Sequence, residues 1–574
     1  MAKKYFKRTP ILPNIEDWPI MQLTDRKRLI KELAIIAYRR IKTRRGKQLD
    51  KILAQTIFRE RARVKEGTWR VEHNDEESFW RDMQKLLAKS ADPDPDNPQK
   101  KEEVLDQILH RITDRYANEI VGGFNKKTFK FARKFLTLLF NRLLNTAANR
   151  NLQRLYGTKY ELHDRLIAEG QVELLRKIFP KGNIVVVPTH FSNLDSILIG
   201  YVMDAIVGIP AFTYGAGLNL FNFGPAAYFM KRLGAYRVDR RKKNIIYLET
   251  LIALSSLFNQ KGINNIFFPG GTRSRTGAIE SELKMGLLSS LIDAQRELLL
   301  KGSDRKVIVV PVVMSYHFVL EAKHLINQHL RRTGQERYLP GSKPDGSRSF
   351  KRISKFVWEF FKDPSEIVVS IGRPMDVMGN FVDENAVSLD RQGNPVDIKS
   401  YFVNDGRITE DKQREAVYTR HLAARLVRRF HHENIVLTSH IVSFVAFELL
   451  RAHHHHLDLF ELLRLPTDDV TLPINLMADA VIEVQDALRD LQTKGEIALM
   501  HNVLHMPLEV IYDGIVKVGK FHIAKPLAVN KAGDIYSRDF ALLYYYHNRL
   551  TGYGIESRIP WRQLLASHKD IYSF

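Results

Sequence analysis

Apolar positions along the chain fall into two textures. From about residue 176, short β-branched runs alternate with longer helical stretches: Ile184–Val187, Ala235–Val238, Asn265–Phe268, Val307–Val310 and Ile367–Ile371. Continuous apolar runs of this length suit strands buried on both faces of a mostly parallel sheet. Before that point the pattern is helical and basic. Thr24-Asp25 offers a cap to an amphipathic stretch that ends in the basic run Arg39–Lys47. A second basic helix is expected over Phe124–Tyr156, and the prolines of Ala91–Pro98 mark a polar surface loop. Beyond about 385 the pattern is helical again, with candidates at Lys412–Phe430, Thr438–Ala452 and Ala478–Thr493. Loops rich in Gly, Pro and Asp at Pro340–Ser347 and Asp390–Pro395 flank the end of the strand-rich part. The expected fold class is α/β. A mostly parallel sheet domain at 176–385 is flanked by a basic helical N-terminal region (1–175) and a mainly helical C-terminal region (386–574).

The 574 residues are too many for one hydrophobic core, which agrees with this division. The absence of cysteine excludes disulfides, thiolate metal sites and thiol nucleophiles, and it suits a reducing compartment. The first ten residues are positively charged with no apolar stretch behind them, so a signal peptide is not expected. The longest uncharged stretch, which runs to Met230 from Ala205 apart from its flanks, is broken by Gly208, Pro210, Gly215, Gly217, Gly224 and Pro225. It reads as protein core and pocket wall rather than as a membrane span.

The net charge of +23 changes the picture most, because it attracts polyanions. Nucleic acid would call for a reading element or stacking aromatics on a sheet face, and neither is recognisable. An anionic membrane surface fits better. Phe124–Tyr156 holds eight Lys or Arg and no acid, interleaved with Phe129, Phe131, Phe135, Leu138 and Leu139. Cationic stems beside large apolar groups are what an interfacial helix needs, although a core-packing helix with a solvated basic face has the same stripe. The histidine runs His453–His456 and His431-His432 do not form a convergent metal site, since consecutive helical residues point in different directions.

Four blocks carry the chemistry. The first, Pro188–Ser196, follows the run 184–187 and contains His190 and Asp195. Five residues apart, they would stand about 140° apart on one helix. They can meet only if the chain turns after His190 and Asp195 enters the next helix at its first turn. The carboxylate would then hold one imidazole nitrogen and leave the other to take a proton from a substrate hydroxyl. The second block is Gly234–Arg241, with Arg237, Asp239 and Arg240 as candidate substrate-binding residues. The third, Phe267–Gly277, offers Gly271 for close backbone approach, the hydroxyls of Thr272 and Ser274, and the guanidiniums of Arg273 and Arg275; Lys284 adds a further cation. The fourth is the apolar run Val307–Tyr316, either a wall for an acyl chain or plain sheet core.

His-x-x-x-x-Asp, Gly-x-x-x-Val-Asp-Arg, Gly-Thr-Arg-Ser and a late Val-Pro-Val strand, in this order, resemble the glycerolipid acyltransferase superfamily. The extended Arg-Ser-Arg-Thr-Gly and the helical flanks are more similar to the bacterial glycerol-3-phosphate acyltransferase branch than to the short lysophosphatidate branch. The resemblance spans roughly residues 180 to 320. It implies acyl-CoA or acyl carrier protein as donor, glycerol 3-phosphate as acceptor, no cofactor, and peripheral attachment to the cytoplasmic face of a bacterial inner membrane. There is one departure: where the family pattern has a glutamate in the third block, this chain has Pro269-Gly270-Gly271. That leaves acceptor choice open, with an emptier pocket and freer arginines as the expectation.

Overall fold

The computed structural model describes residues 8–69, 72–91, 98–145, 166–222, 224–333, 366–466 and 470–568. At its centre is a seven-stranded sheet in the order β1-β7-β6-β2-β5-β3-β4. The strands are β1 (Leu166–Gly170), β2 (Gly182–Pro188), β3 (Thr213–Gly217), β4 (Ala235–Val238), β5 (Asn265–Ile266), β6 (Lys306–Tyr316) and β7 (Ile367–Ile371). Five of them, β6 through β4, are parallel; β7 runs antiparallel to β6, and β1 is parallel to β7. The sheet is thus mostly parallel, as the apolar runs predict.

β2 pairs with β6 in a continuous register from Gly182↔Lys306 to Pro188↔Val312, and every residue of β2 is buried. Val185, Val186 and Val187 have no face open to water, which is why this strand shows no polar alternation. β1 and β3 are absent from the expected pattern. Leu-Ile-Ala-Glu-Gly and Thr-Tyr-Gly-Ala-Gly carry too few β-branched residues to stand out, and their pairing with stronger neighbours makes them strands. The fourth block forms β6, buried from Val307 to Tyr316 between β2 and β7, so it is sheet core along most of its length.

Before the sheet come helices Arg26–Arg45, Leu49–Glu66, Glu76–Ala91, Pro98–Ile120 and Lys126–Asn145. The first is capped by Asp25, whose side chain accepts from Arg28 N at 3.2 Å, and it buries Leu29, Leu33, Ala37 and Ile41 on one face. This face shares a core with helix Ile245–Gln260 through Ile246, Leu254, Leu257 and Phe258. A buried ionic cluster ties the next three helices to Lys242. Arg63 pairs with Glu60 (2.8 Å), Glu76 (2.5 Å) and Glu72, Arg115 pairs with Glu76 at 2.8 Å, and Lys242 reaches Glu119 at 2.6 Å. Phe124 opens the second basic helix but lies just before its first turn, and the expected continuation to Tyr156 lies outside the described residues beyond Asn145. The loops expected at 92–97 and 340–347 lie outside them as well.

The C-terminal helices include Lys412–His432, Thr438–His453, Ile474–Thr493, Pro507–Lys517 and Phe540–His547. Thr438–His453 is buried on every side from Thr438 to Leu450, and its core is continuous with that of the sheet. No described helix is long and apolar enough to cross a membrane. Val202–Val207, which overlaps the start of the long uncharged stretch, and β3, within it, are packed largely in the protein core.

The C-terminal region closes directly on the third sequence block. Gly277 has φ +85°, and a Cβ placed there would lie 2.0 Å from the carbonyl oxygen of Tyr545. Asn548 Nδ2 donates to Thr276 O at 3.0 Å. Gly277→Ala should therefore both strain the backbone and push helix Phe540–His547 off the sheet domain, since neither colliding group is a flexible side-chain end. The expected outcome is a thermal unfolding midpoint several degrees lower and faster proteolysis of residues after 540, measured by calorimetry and peptide mapping.

Candidate active site

The site is built where β2 ends. After Pro188 the chain turns, and helix Asp195–Tyr201 starts with Asp195 itself. This turn brings Asp195 Oδ2 to 2.8 Å from His190 Nδ1. The same oxygen accepts from the backbone N–H of Phe191 (2.7 Å) and Ser192 (2.9 Å), and Oδ1 accepts from the Tyr316 hydroxyl at 2.6 Å. Asp195 is fully buried, while the His190 side chain keeps 14% of its surface exposed. A buried carboxylate is tolerable when its oxygens are satisfied in this way. With Nδ1 facing the carboxylate, the ring nitrogen left for proton transfer is Nε2, which has no hydrogen-bond partner among the described residues. The ring stacks on Phe268, with centroids 4.1 Å apart.

The turn after β5 packs against the His190 loop. Ser274 N donates to His190 O at 2.7 Å, and Glu280 Oε1 accepts from His190 N at 2.7 Å. Glu321 joins the two loops further: it accepts from Asn193 N (3.1 Å), Ser192 Oγ (3.1 Å) and Arg273 Nη1 (3.0 Å). Ser274 Oγ serves the turn itself, donating to Ala278 O at 2.8 Å and accepting from Gly277 N at 3.1 Å. Arg275 donates to Gln328 Oε1 at 3.0 Å. Gly271 has φ +72° and gives the Lys284 side chain room to lie across it; a Cβ there would be 2.8 Å from Lys284 Nζ. Thr272, next along the chain from Gly271, is half-buried.

The second block divides. Arg240 faces the third block: desolvation and then repulsion from Arg273 and Arg275 hold its guanidinium below the usual arginine range. Arg275 is lowered likewise, by desolvation, then Arg332 and Arg273. Among the described residues only Arg273 of this set has an ion pair, to Glu321. Guanidiniums that repel one another in this way, with one acid paired among them, have the chemistry of a candidate anion site. Asp239 points elsewhere. Its oxygens receive Arg241 N (3.0 Å) and Arg241 Nη2 (2.8 Å), and Arg241 lies over the Trp69 ring at 3.9 Å and pairs with Glu72 at 2.9 Å. Arg237 sits over Phe221 at 5.4 Å. Asp239 therefore anchors its block to the N-terminal helices, and the structure does not bring it to His190.

Four contributors escape sequence reading: Tyr316, Glu280, Glu321 and Arg549. Arg549 is buried with its guanidinium 4.2 Å from the Phe191 ring centroid, donates to Met314 O at 2.7 Å and Asn434 Oδ1 at 2.9 Å, and is pushed down to about 10 by burial. Tyr316 alone has a local signal, as the end of an apolar strand that expects no polar group. The emptier pocket expected at Gly270 is not found. A Cβ at Gly270 would lie 3.2 Å from Glu280 Cγ, so Glu280 fills the space.

A family model described as Acyltransferase matches residues 169–315. This segment is an acyltransferase domain by that match. Among curated relatives, a glycerol-3-phosphate acyltransferase of Alteromonas mediterranea is 30% identical over 215 residues, which is 37% of this chain and 23% of that protein. One of Aeromonas hydrophila is 27% identical over 275 residues, 48% of this chain and 29% of that protein. The aligned part thus spans about a quarter of the length of these relatives. The acyltransferase domain runs from the end of β1 to nearly the end of β6 and contains both His190 and Asp195; Arg549 and the N-terminal helices lie outside it.

Within the acyltransferase domain Glu280 has the most perturbed carboxyl: burial raises it to about 7, against the hydrogen bond from His190 N and the attraction of Arg549. A carboxyl raised on folding favours the native state at low pH, and that contribution is lost as pH rises toward the folded value. Glu280→Gln removes this ionisation. The variant's melting temperature relative to wild type should be higher at pH 8 than at pH 5, with the change occurring between about pH 4.5 and 7. Paired melting curves across that range measure it; a constant offset would contradict the assignment.

Proposed function

We propose that this protein moves a fatty acyl group from an acyl-CoA or acyl carrier protein thioester to a hydroxyl of glycerol 3-phosphate, with His190 as general base. The observation that carries the reading is the His190–Asp195 pair, 2.8 Å apart, beside the arginine-rich turn. Asp195 holds the Nδ1 proton, so Nε2 accepts the proton of the attacking hydroxyl. The hydroxyl oxygen bonds to the thioester carbonyl carbon, the C–S bond breaks, and the imidazolium returns the proton to the departing sulfur. The logic is that of a hydrolytic triad with a substrate hydroxyl in place of the serine. Arg240, Arg273 and Arg275 hold the acceptor phosphate, and Lys284 adds charge across Gly271. The names of the two relatives support glycerol 3-phosphate as acceptor.

An assay offering glycerol 3-phosphate, dihydroxyacetone phosphate and lysophosphatidate against one acyl-CoA, and again against acyl carrier protein, tests this. Glycerol 3-phosphate should give the fastest transfer. His190→Ala should lower kcat by about a hundred- to ten-thousand-fold without unfolding the protein. Arg273→Ala should raise KM for the phosphorylated acceptor about tenfold or more. Unchanged turnover in the first variant would sink the mechanism, and lysophosphatidate preference would reassign the acceptor.

Attachment to the cytoplasmic face of an inner membrane belongs to the same reading. Helix Lys126–Asn145 has no acidic residue. Lys127, Lys130, Phe131, Lys134 and Phe135 are all exposed at helical spacing, with Phe131 58% and Phe135 51% accessible. Phe131 stacks on Phe135 (6.3 Å) and on Phe229 (6.1 Å), and Tyr228 beside them is 50% exposed under the guanidinium of Arg232. Rings ringed by cations suit an anionic bilayer surface. Sedimentation with vesicles of anionic phospholipid should show binding that weakens with salt. Phe131→Ser/Phe135→Ser should cut it by about tenfold or more, from the lost apolar burial.

A further inference from the structure

The chain lacks an acid at position 270, yet an acid occupies the place a side chain at 270 would reach. A Cβ built on Gly270 lies 3.2 Å from Glu280 Cγ and 3.5 Å from Glu280 Oε1. In a glutamate, the carboxylate oxygens stand about 3–4 Å from their own Cβ, by ordinary bond lengths and staggered torsions. A glutamate at 270 could therefore deliver an oxygen to the point where Glu280 Oε1 already sits. Gly270 also lacks the positive φ that Gly271 and Gly277 have, so its backbone does not itself require glycine. What crowds a side chain there is Glu280.

The oxygen at that point has a specific task. Glu280 Oε1 accepts from the backbone N–H of His190 at 2.7 Å, and the carbonyl of the same residue accepts from Ser274 N at 2.7 Å. The base is thus held through both sides of its own backbone by the turn that bears Arg273 and Arg275. Asp195 orients the ring, while these two bonds fix where the ring starts from. Glu280 Oε2 is buried with no hydrogen-bond partner, an arrangement that packing alone would not favour for a carboxylate.

We propose that Glu280 is a positioning residue for His190, supplying from ten residues downstream the carboxylate oxygen that position 270 lacks. This rests on His190 being the base. The interaction is defined by an oxygen at one point, so either residue can provide it but not both at once.

The test compares Glu280→Gln, Glu280→Met, Glu280→Ala and the exchange Gly270→Glu/Glu280→Ala in the full chain. Two readouts are taken: acyl transfer with glycerol 3-phosphate, and the rate of diethyl pyrocarbonate modification at His190 followed by peptide mass spectrometry. Glu280→Met keeps the volume and removes the acceptor. It should lower kcat about ten- to a hundredfold with the acyl-donor KM unchanged, and speed His190 modification several-fold. Glu280→Gln, which retains an oxygen, should lose no more than a few-fold. The exchange should recover most of what Glu280→Ala loses in both readouts. Where Glu280→Met unfolds, as circular dichroism would reveal, Glu280→Ala against the exchange makes the same comparison. Equal behaviour of the Met and Gln variants, or an exchange no better than Glu280→Ala, overturns the proposal. A wild-type protein inactive on every acceptor would defeat the proposed function instead, and the modification rates would still decide whether Glu280 holds His190.

Discussion

One buried carboxylate organises the centre of this molecule. Asp195 collects an imidazole nitrogen, two backbone N–H groups and a tyrosine hydroxyl, and has no exposure to water. Removing an ion from water costs several kcal/mol unless its lone pairs are met, so those four donors are conditions for folding as well as for chemistry. They come from two constraints. The N–H groups require the chain to turn immediately after β2, and the hydroxyl requires β6 to end beside it. The imidazole follows from the same turn. The parallel sheet matters to function chiefly because it brings the ends of β2 and β6 to one place.

Around that centre the two flanking regions play unlike parts. The N-terminal region grips the end of the second block through ions, with Glu72 on Arg241 and Glu119 on the following Lys242. Arg240 immediately precedes these two anchored residues, so its placement depends on partners more than a hundred residues earlier. The C-terminal helices instead continue the apolar core of the sheet and add Arg549 over the ring of Phe191. A further ionic cluster joins all three parts, where Asp293 meets Arg44 at 3.1 Å and Arg296 at 3.2 Å, and Arg44 also pairs with Glu410.

Much of this was legible in the sequence where the signal is local. His190 and Asp195 lie within one short turn, and the residue spacing alone requires the turn they make. The runs at 184–187 and 307–310 read as strands because burial on both faces leaves no polar alternation. Legibility stops where a partner is distant or a pattern is weak. Glu280 and Glu321 look like ordinary polar residues in their own neighbourhoods, and only the packing of two loops gives them a task. β3 is glycine-rich and is a strand by virtue of β4 and β5. Asp239 sits in a motif with Arg240, yet neighbours in sequence face different partners. Gly270 shows the same limit in reverse: a missing side chain suggests a void, and the filler comes from ten residues away.

The contact of Tyr545 with Gly277 has a consequence for biogenesis. Thr276 and Asn548, which bond across this seam, are 272 residues apart. At a synthesis rate of about 5–20 residues per second, the arginine turn waits roughly 15–50 s for the helix that covers it. During that interval the surface destined for Tyr545, Tyr546 and Arg549 lacks its cover, at first on a nascent chain that also lacks β6 and β7. A domain that closes late cannot form its mature pocket on the ribosome until nearly the whole sequence described here has emerged. The seam therefore delays a fully assembled site until Asn548 has been made, 272 residues after Thr276.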